Sequence, residues 1–117
     1  MTAVAPRLPR LARRLTLEAP VLAPDGAGGF ARGWSALGTL FAEVERGAAR
    51  VTAQPGGGES RRSLRITVRG AAPGAPSRPQ PGQRFREGAR LYPISAVSEA
   101  DAQGRFLLCL AHEESTL

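Results

Sequence analysis

The chain lacks most of the residues with which small proteins do chemistry. Its 117 residues include one cysteine, Cys109, and one histidine, His112. A lone cysteine cannot form an intramolecular disulfide, which fits a reducing compartment, and its apolar neighbours predict a small buried side chain. We interpret His112, beside Glu113 and Glu114, as a tail residue and not as part of a metal site. No hydroxyl or thiol stands in a spaced His–Asp context. We therefore expect no enzyme, no metal and no cofactor.

Aromatic residues and long apolar runs are also scarce. Aromatics make up 5% of the chain, so the core must be built from Leu, Val, Ile and Ala. Trp34 and Tyr92 sit inside apolar runs, which predicts core packing for both rather than stacking platforms for single-stranded nucleic acid. No apolar run is long enough to span a membrane, and none follows the N-terminal arginines. We expect neither a membrane partner nor a secretory signal.

Lysine is absent, so all 16 basic residues are arginines, and the formal net charge is +6. A high-GC genome explains the absence of lysine and hints at a high-GC bacterial host. The positive charge is real whatever its origin. It favours polyanionic partners or acidic protein surfaces.

The length predicts one domain with a modest core, for which oligomerisation would be a natural source of stability. We divide the chain into an N-terminal arm (1–12), a β-domain (13–113) and a polar tail (114–117). Two Gly-containing turns separate three short apolar runs in the C-terminal third, which predicts consecutive antiparallel strands. Pro93 lies in the second run and cannot donate to a ladder, so we expect it at an edge or an unpaired position.

Alternation of polar and apolar residues predicts further strands upstream. The clearest is Arg61–Arg69, and Arg14–Glu18 alternates in the same way. We predict a third strand over Leu37–Glu45, with a helix as the alternative because Ala, Leu and Glu permit one. The Gly-rich turn before it favours a hairpin. Pro20 and Pro24 are expected to loosen the chain ahead of that turn.

Two long loops complete the prediction. The loop Gly47–Ser60 has a flexible tip and lacks the Lys-Ser/Thr pair of a phosphate-binding loop. The residues of that tip are Gln54, Pro55, Gly56, Gly57 and Gly58. The loop Gly70–Gly82 is rich in proline and is predicted to be extended and exposed. The fold class is all-β, a small antiparallel β-barrel of about five to six strands with one long loop, and a sandwich is the alternative.

Period-2 alternation also predicts the core. The residues expected to be buried are Leu15, Leu17, Leu64, Ile66, Val68, Ile94, Leu108 and Leu110.

The order of these segments resembles the phage head-tail joining family, the stopper or head-closure proteins of tailed phages and phage-like gene transfer agents. The segments that carry the resemblance are Leu11–Pro20, Asp25–Gly29 with Trp34 after it, Thr39–Val44, Arg65–Arg69, Arg84-Phe85, Tyr92–Val97 and Arg105–Cys109. Each motif alone is weak, and their order and spacing are more specific. The longer Gly70–Gly82 loop and Pro93 depart from the family pattern.

The resemblance implies a ring of identical subunits, with six copies expected and twelve as the alternative. The ring would surround the DNA exit channel of a virion at the head-tail interface, after assembly in the bacterial cytoplasm. Its partners would be a portal-side adaptor protein, a tail terminator protein and double-stranded DNA. One long loop would reach toward the lumen or a neighbouring subunit.

The candidate DNA-channel or interface residues flank or follow the first long loop. They are Arg46, Arg50, Arg61, Arg62, Arg65 and Arg69, with Gln54–Gly58 as the loop. A solvated outer face is the alternative for the arginine strand. The alternative function is sequence-independent nucleic-acid binding by a monomeric, OB-like β-barrel. The absence of aromatic residues from Arg61–Arg69 argues against it.

Overall fold

The protein folds into a closed antiparallel β-barrel. The structure, a computed structural model, describes residues 8–51 and 60–114, and for residues 48–51, 60 and 61 it describes the backbone only. The strands are β1 (Arg13–Pro24), β2 (Phe30–Val51), β3 (Ser60–Arg69), β4 (Arg84–Glu87), β5 (Arg90–Glu99) and β6 (Phe106–His112). They close in the order β1-β2-β3-β6-β5-β4. The all-β barrel is therefore confirmed, and in the described residues the helix alternative for β2 is wrong.

Strand alternation fills the barrel with side chains from all six strands. The fully or almost fully buried apolar residues include Leu15, Leu17, Ala42, Leu64, Ile66, Val68, Phe85, Tyr92, Ile94, Leu107 and Cys109. Six of the eight predicted core residues are among them. We call the end at which β1, β3 and β5 finish the upper end, and the end at which they begin the lower end.

The prediction for β6 was wrong by one residue. Leu107 and Cys109 face the core, whereas Leu108 is half-buried and Leu110 is 42% exposed. Phe106–Leu110 is apolar at every position, so the sequence has no alternation that distinguishes its two faces. A one-residue shift moves every side chain of a strand to the other face. Here Cys109 takes the inward position, opposite Ile66 on β3.

The hairpin of β1 and β2 is much longer than predicted. Strand β4 pairs with β1 only from Thr16 to Glu18, but β1 and β2 remain paired to Pro24 and Phe30. The predicted loosening at Pro20 and Pro24 is therefore wrong. Proline is tolerated in a strand at positions where no ladder hydrogen bond from its nitrogen is needed. Trp34, predicted as core, lies on this hairpin and is exposed.

Asp25 closes the tip of the hairpin. Its Oδ1 accepts hydrogen bonds from the backbone N–H groups of Ala27 at 2.8 Å and Gly29 at 3.0 Å. These two bonds hold the pKa of the Asp25 carboxyl below its ordinary value. The predicted Gly-rich turn is confirmed.

The first long loop is shorter than predicted at its start. Strand β2 continues to Val51, and its last residues pair with the start of β3, so Val51 faces Ser60. The predicted loop start at Gly47 is therefore wrong. The loop residues Gln54–Gly58 lie outside the described residues.

The second long loop folds over the upper end of the barrel. No strand is assigned between Gly70 and Gln83, as predicted, but Pro79 is fully buried and Arg78 donates a hydrogen bond to the Ala71 carbonyl at 2.8 Å. The prediction that this loop is extended and exposed is therefore wrong at Arg78 and Pro79. Gly70 is required at its start, because a Cβ there would lie 2.1 Å from the Gly104 carbonyl oxygen.

Pro93 lies inside the barrel wall and not on an edge strand. It faces Arg84 on the β4 side, and the paired register with β6 begins one residue later, at Ile94. Its missing N–H therefore falls where the β5–β6 register gives it no partner, which agrees with the unpaired position predicted.

Candidate nucleic-acid and subunit interfaces

Three arginines surround one carboxylate at the lower end of the barrel. Arg90 donates two hydrogen bonds to Glu113, at 2.8 and 2.9 Å. Arg46 Nη1 lies 3.7 Å from Glu113 Oε1, and the Arg62 carbonyl accepts a hydrogen bond from the Glu113 N–H at 3.1 Å. We call Arg46, Arg62, Arg90 and Glu113 the rim cluster. It forms where the ends of β2, β3, β5 and β6 converge.

The rim cluster keeps a surplus of positive charge. The hydrogen bond from Arg90, followed by the charges of Arg90, Arg46 and Arg62, holds the pKa of Glu113 below its ordinary value. Glu113 is therefore ionised at neutral pH. Because it is one carboxylate among three guanidinium groups, the cluster remains attractive to a polyanion.

A second ion pair closes the lower end beside this cluster. Arg13 is paired with Glu87, and the Tyr92 hydroxyl donates a hydrogen bond to the same carboxylate at 2.9 Å. The Arg13 hydrogen bond lowers the pKa of Glu87, and burial is the main cause that raises the pKa of Tyr92. Tyr92 is fully buried, so its predicted core role is confirmed.

The outward face of β3 forms a mixed wall. Arg65 and Arg69 are exposed, and Arg65 lies opposite Glu45 on β2 and Leu110 on β6. Arg69 lies opposite Phe106 at the upper end. We call Arg65 and Arg69 the wall arginines. They alternate with the buried residues Leu64, Ile66 and Val68, so they lie on the outside of the barrel.

The six predicted arginines therefore do not form one surface. Arg46 and Arg62 lie at the lower end, near the first long loop, whereas Arg69 lies at the upper end of β3. Arg50 and Arg61 face each other in the β2–β3 register, and their side chains lie outside the described part of the chain. Sequence reasoning missed Glu113 and Arg90. Only the β3–β6 register, which pairs Ser63 with His112, brings Glu113 here, and the sequence has no signal for that register.

Large apolar side chains are exposed on the projecting hairpin. Leu22 is 67%, Phe30 70% and Trp34 42% exposed. Leu22 faces Arg32 across the hairpin, and Pro20 faces Trp34. Residues directly opposite one another share a face of a sheet, as do alternate residues along a strand. We call Pro20, Leu22, Phe30, Arg32 and Trp34 the hairpin surface.

A buried carboxylate anchors the base of this surface. Glu18 is 2% exposed, and its two oxygens lie 2.7 Å from Arg84 Nε and 2.6 Å from Arg86 Nη2. The Arg84 guanidinium also stacks on Trp34, 3.9 Å from the ring centroid. This network ties the hairpin to β4 and fixes the orientation of Trp34.

The described residues contain no group of three or more His, Cys, Asp or Glu side chains placed to hold a metal ion. Burial raises the pKa of the Cys109 thiol to about 12, which removes the thiolate needed for nucleophilic chemistry. Within residues 8–51 and 60–114, no helix is long and apolar enough to cross a membrane.

Comparisons with known proteins give the family. The model of the phage head completion protein family matches residues 6–114. A chain from a structure described as "Virion of native gene transfer agent (GTA) particle" is 44% identical, with a TM-score of 0.80. That match covers 94% of this chain and 100% of the other. The search of curated proteins found no match.

These matches define a structural component of a virion, located at the head. The chain belongs to the phage head completion protein family. The resemblance inferred from the order of its sequence motifs is confirmed.

Proposed function

We propose that copies of this chain form a ring around the DNA exit channel of the head, six copies with twelve as the alternative. The ring retains packaged DNA and offers a docking surface for the tail. It sits between a portal-side adaptor protein and a tail terminator protein. This role is structural and uses no cofactor.

The exposed apolar hairpin surface is the observation that carries the proposal. Soluble monomers rarely expose a contiguous group of large apolar side chains, and such groups mark interfaces. Leu22, Phe30 and Trp34 share one face of a hairpin that projects from the upper end. The rim cluster lies at the opposite end, so each subunit has one apolar and one cationic end.

DNA retention would be electrostatic and independent of sequence. Arginines that contact phosphates carry no base information, and a ring multiplies each contact by the number of subunits. The affinity of a single subunit for DNA would fall steeply with salt, with a log–log slope of about −0.9 per neutralised phosphate. Few contacts per subunit are expected, because a tight grip would oppose ejection.

Two variants with equal charge changes test which arginines meet DNA. The rim variant is Arg46→Gln with Arg62→Gln, and the wall variant is Arg65→Gln with Arg69→Gln. Each removes two positive charges, so each is the control for the other. The rim variant is expected to assemble and to lose DNA from filled particles, because its residues lie beside the first long loop. The wall variant is expected to retain DNA.

DNA retention is measured in purified particles by nuclease protection, and ring assembly by electron microscopy. Equal retention in both variants and in the parent would contradict a DNA role for the rim cluster. Loss of assembly in either variant would assign its arginines to subunit interfaces. A stable monomer that binds DNA as tightly as the ring would favour the OB-like alternative.

A further inference from the structure

A groove on the outside of the barrel is lined by apolar and acidic side chains, and the hairpin surface presents apolar side chains and an arginine. Its volume is about 620 Å³. Glu43, Glu45 and Thr67 line it from β2 and β3, and Leu8, Asp101 and Phe106 are among its other lining residues. The groove therefore combines apolar side chains with carboxylates on the upper part of the wall.

We propose that the hairpin surface of one copy docks into this groove on the next copy. The inference rests on the proposed ring and names the contact that would build it. The apolar side chains Leu22 and Phe30 pack against Leu8 and Phe106, and Arg32 reaches the carboxylates. The occupant is thus a second copy of this chain.

Charge complementarity selects this pairing. Arg32 lies on the hairpin surface, and at its base Arg84 and Arg86 share one carboxylate, Glu18, which leaves one positive charge there. Three carboxylates and one arginine line the groove. Hydrogen bonding from Arg105 lowers the pKa of Asp101, which keeps that carboxylate charged at neutral pH. Complementary charges of this kind fix the register of a contact and exclude like-charged partners.

The location of the two surfaces on different parts of the subunit permits a closed ring. They are different parts of the subunit, so a contact between them is heterologous, and each subunit can offer a hairpin to one neighbour and a groove to the other. Head-to-tail contacts of this type close into rings when the rotation between subunits permits. The hairpin residues do not line the groove of their own chain, which leaves it available to another copy.

Cysteine cross-linking in purified particles tests the contact. The test variant carries Phe30→Cys on the hairpin and Gln103→Cys at the groove, and a flexible bis-maleimide joins thiols that lie close together. Cys109 is buried and does not compete. The expected result is a ladder of covalent multimers on a denaturing gel. The matched control, Phe30→Cys with Ser98→Cys on β5, is expected to give no ladder.

Three outcomes would overturn the proposal. The first is dimer formation by Phe30→Cys alone, which indicates a symmetric contact between two hairpins. The second is a cross-link from Phe30→Cys to a different virion protein. The third is an intact ring that gives no ladder of cross-linked multimers. In the last case electron microscopy still shows the ring, so the proposed function survives and only the docking mode fails. Particles that contain the chain without a ring would refute the proposed function itself.

A second variant keeps the test independent of cross-linker reach. Leu22→Ser with Phe30→Ser changes only exposed side chains, so the thermal midpoint of the subunit should stay unchanged. Subunit association should weaken roughly a hundredfold if these two residues are interface anchors. Unchanged association, measured by analytical ultracentrifugation, would contradict the proposal.

Discussion

Individual residues show which face of each strand points into the core and why the Cys109 thiol is unreactive. Cys109 is buried, as its apolar neighbours predicted, whereas the predicted burial of Leu108 and Leu110 was wrong. Glu18 is buried, yet both of its oxygens are satisfied by arginines, so its burial leaves no unpaired charge. Tyr92 is fully buried and still hydrogen-bonded. In the described part of the chain, these buried polar groups are therefore paired, and their burial does not destabilise the fold.

Two substitutions in neighbouring strands test the barrel register. Ile66→Ala should lower the free energy of unfolding by about 2–5 kcal/mol, because Ile66 is fully buried and a cavity would remain. Leu110→Ala is the matched control and should cost about 0.5 kcal/mol or less, since its side chain is on the outside. Urea denaturation measures both. A Leu110→Ala loss as large as that of Ile66→Ala would reverse the assignment of β6.

At the scale of elements, the sequence identified strands better than it identified their ends. The alternation of Leu64, Ile66 and Val68 predicted β3 and its inward face correctly. Strand β6 has no such alternation, so only its pairing with β3 and β5 decides which residues are buried. The hairpin was predicted but its length was missed, because prolines and glycines in Pro20–Gly38 weaken the local strand signal. The pairing of β1 with β2 stabilises these strands although the strand propensity of their residues is low.

The rim cluster illustrates a further limit of the sequence. Arg46, Arg62, Arg90 and Glu113 are far apart along the chain and meet only because β2, β3, β6 and β5 are neighbours in the sheet. The arginine surplus was visible in composition, but the carboxylate that organises it was not. The predicted set also joined Arg69 to residues at the opposite end of the barrel. Tertiary pairing, not spacing, decides which charges act together.

The lower-end ion pairs should make stability depend on pH. The pKa values of Glu87 and Glu113 are both lowered in the folded state from an ordinary value of 4.5. Their contribution is therefore fully present above about pH 4.5 and is lost as the pH falls through the lower folded values. Glu87→Gln with Glu113→Gln should flatten the acid limb of stability measured by urea denaturation from pH 6 to pH 2. An unchanged acid limb would show that these pairs contribute nothing to folding.

The first long loop is the element that we propose to act on DNA in the assembled ring. It joins β2 to β3 beside the rim cluster, and its residues Gln54–Gly58 lie outside the described residues. Deleting Gln54–Gly58 should leave the thermal midpoint of the subunit unchanged, because the barrel register ends at Val51 and Ser60. Particles with the deletion should leak DNA or fail to join tails, as nuclease protection and electron microscopy would show. Normal particles would refute a role for this loop.

On the scale of the whole molecule, the barrel keeps two different surfaces apart. The closed part of the barrel has no unpaired edges around its circumference, so strand addition is resisted there, whereas the projecting hairpin beyond Glu18 pairs only within itself. The hairpin projects from one end and the rim cluster lies at the other. This separation suits a ring subunit, which needs one surface for neighbouring subunits and another for DNA. The small core is also consistent with stability gained through assembly.

Electron microscopy of the assembled particle tests the central claim most directly. We predict density for this barrel in a closed ring on the axis of the head exit channel, in six copies or twelve, with the rim cluster facing the DNA path. Absence of the chain from that axis, or its presence as isolated copies elsewhere on the particle, would contradict the account.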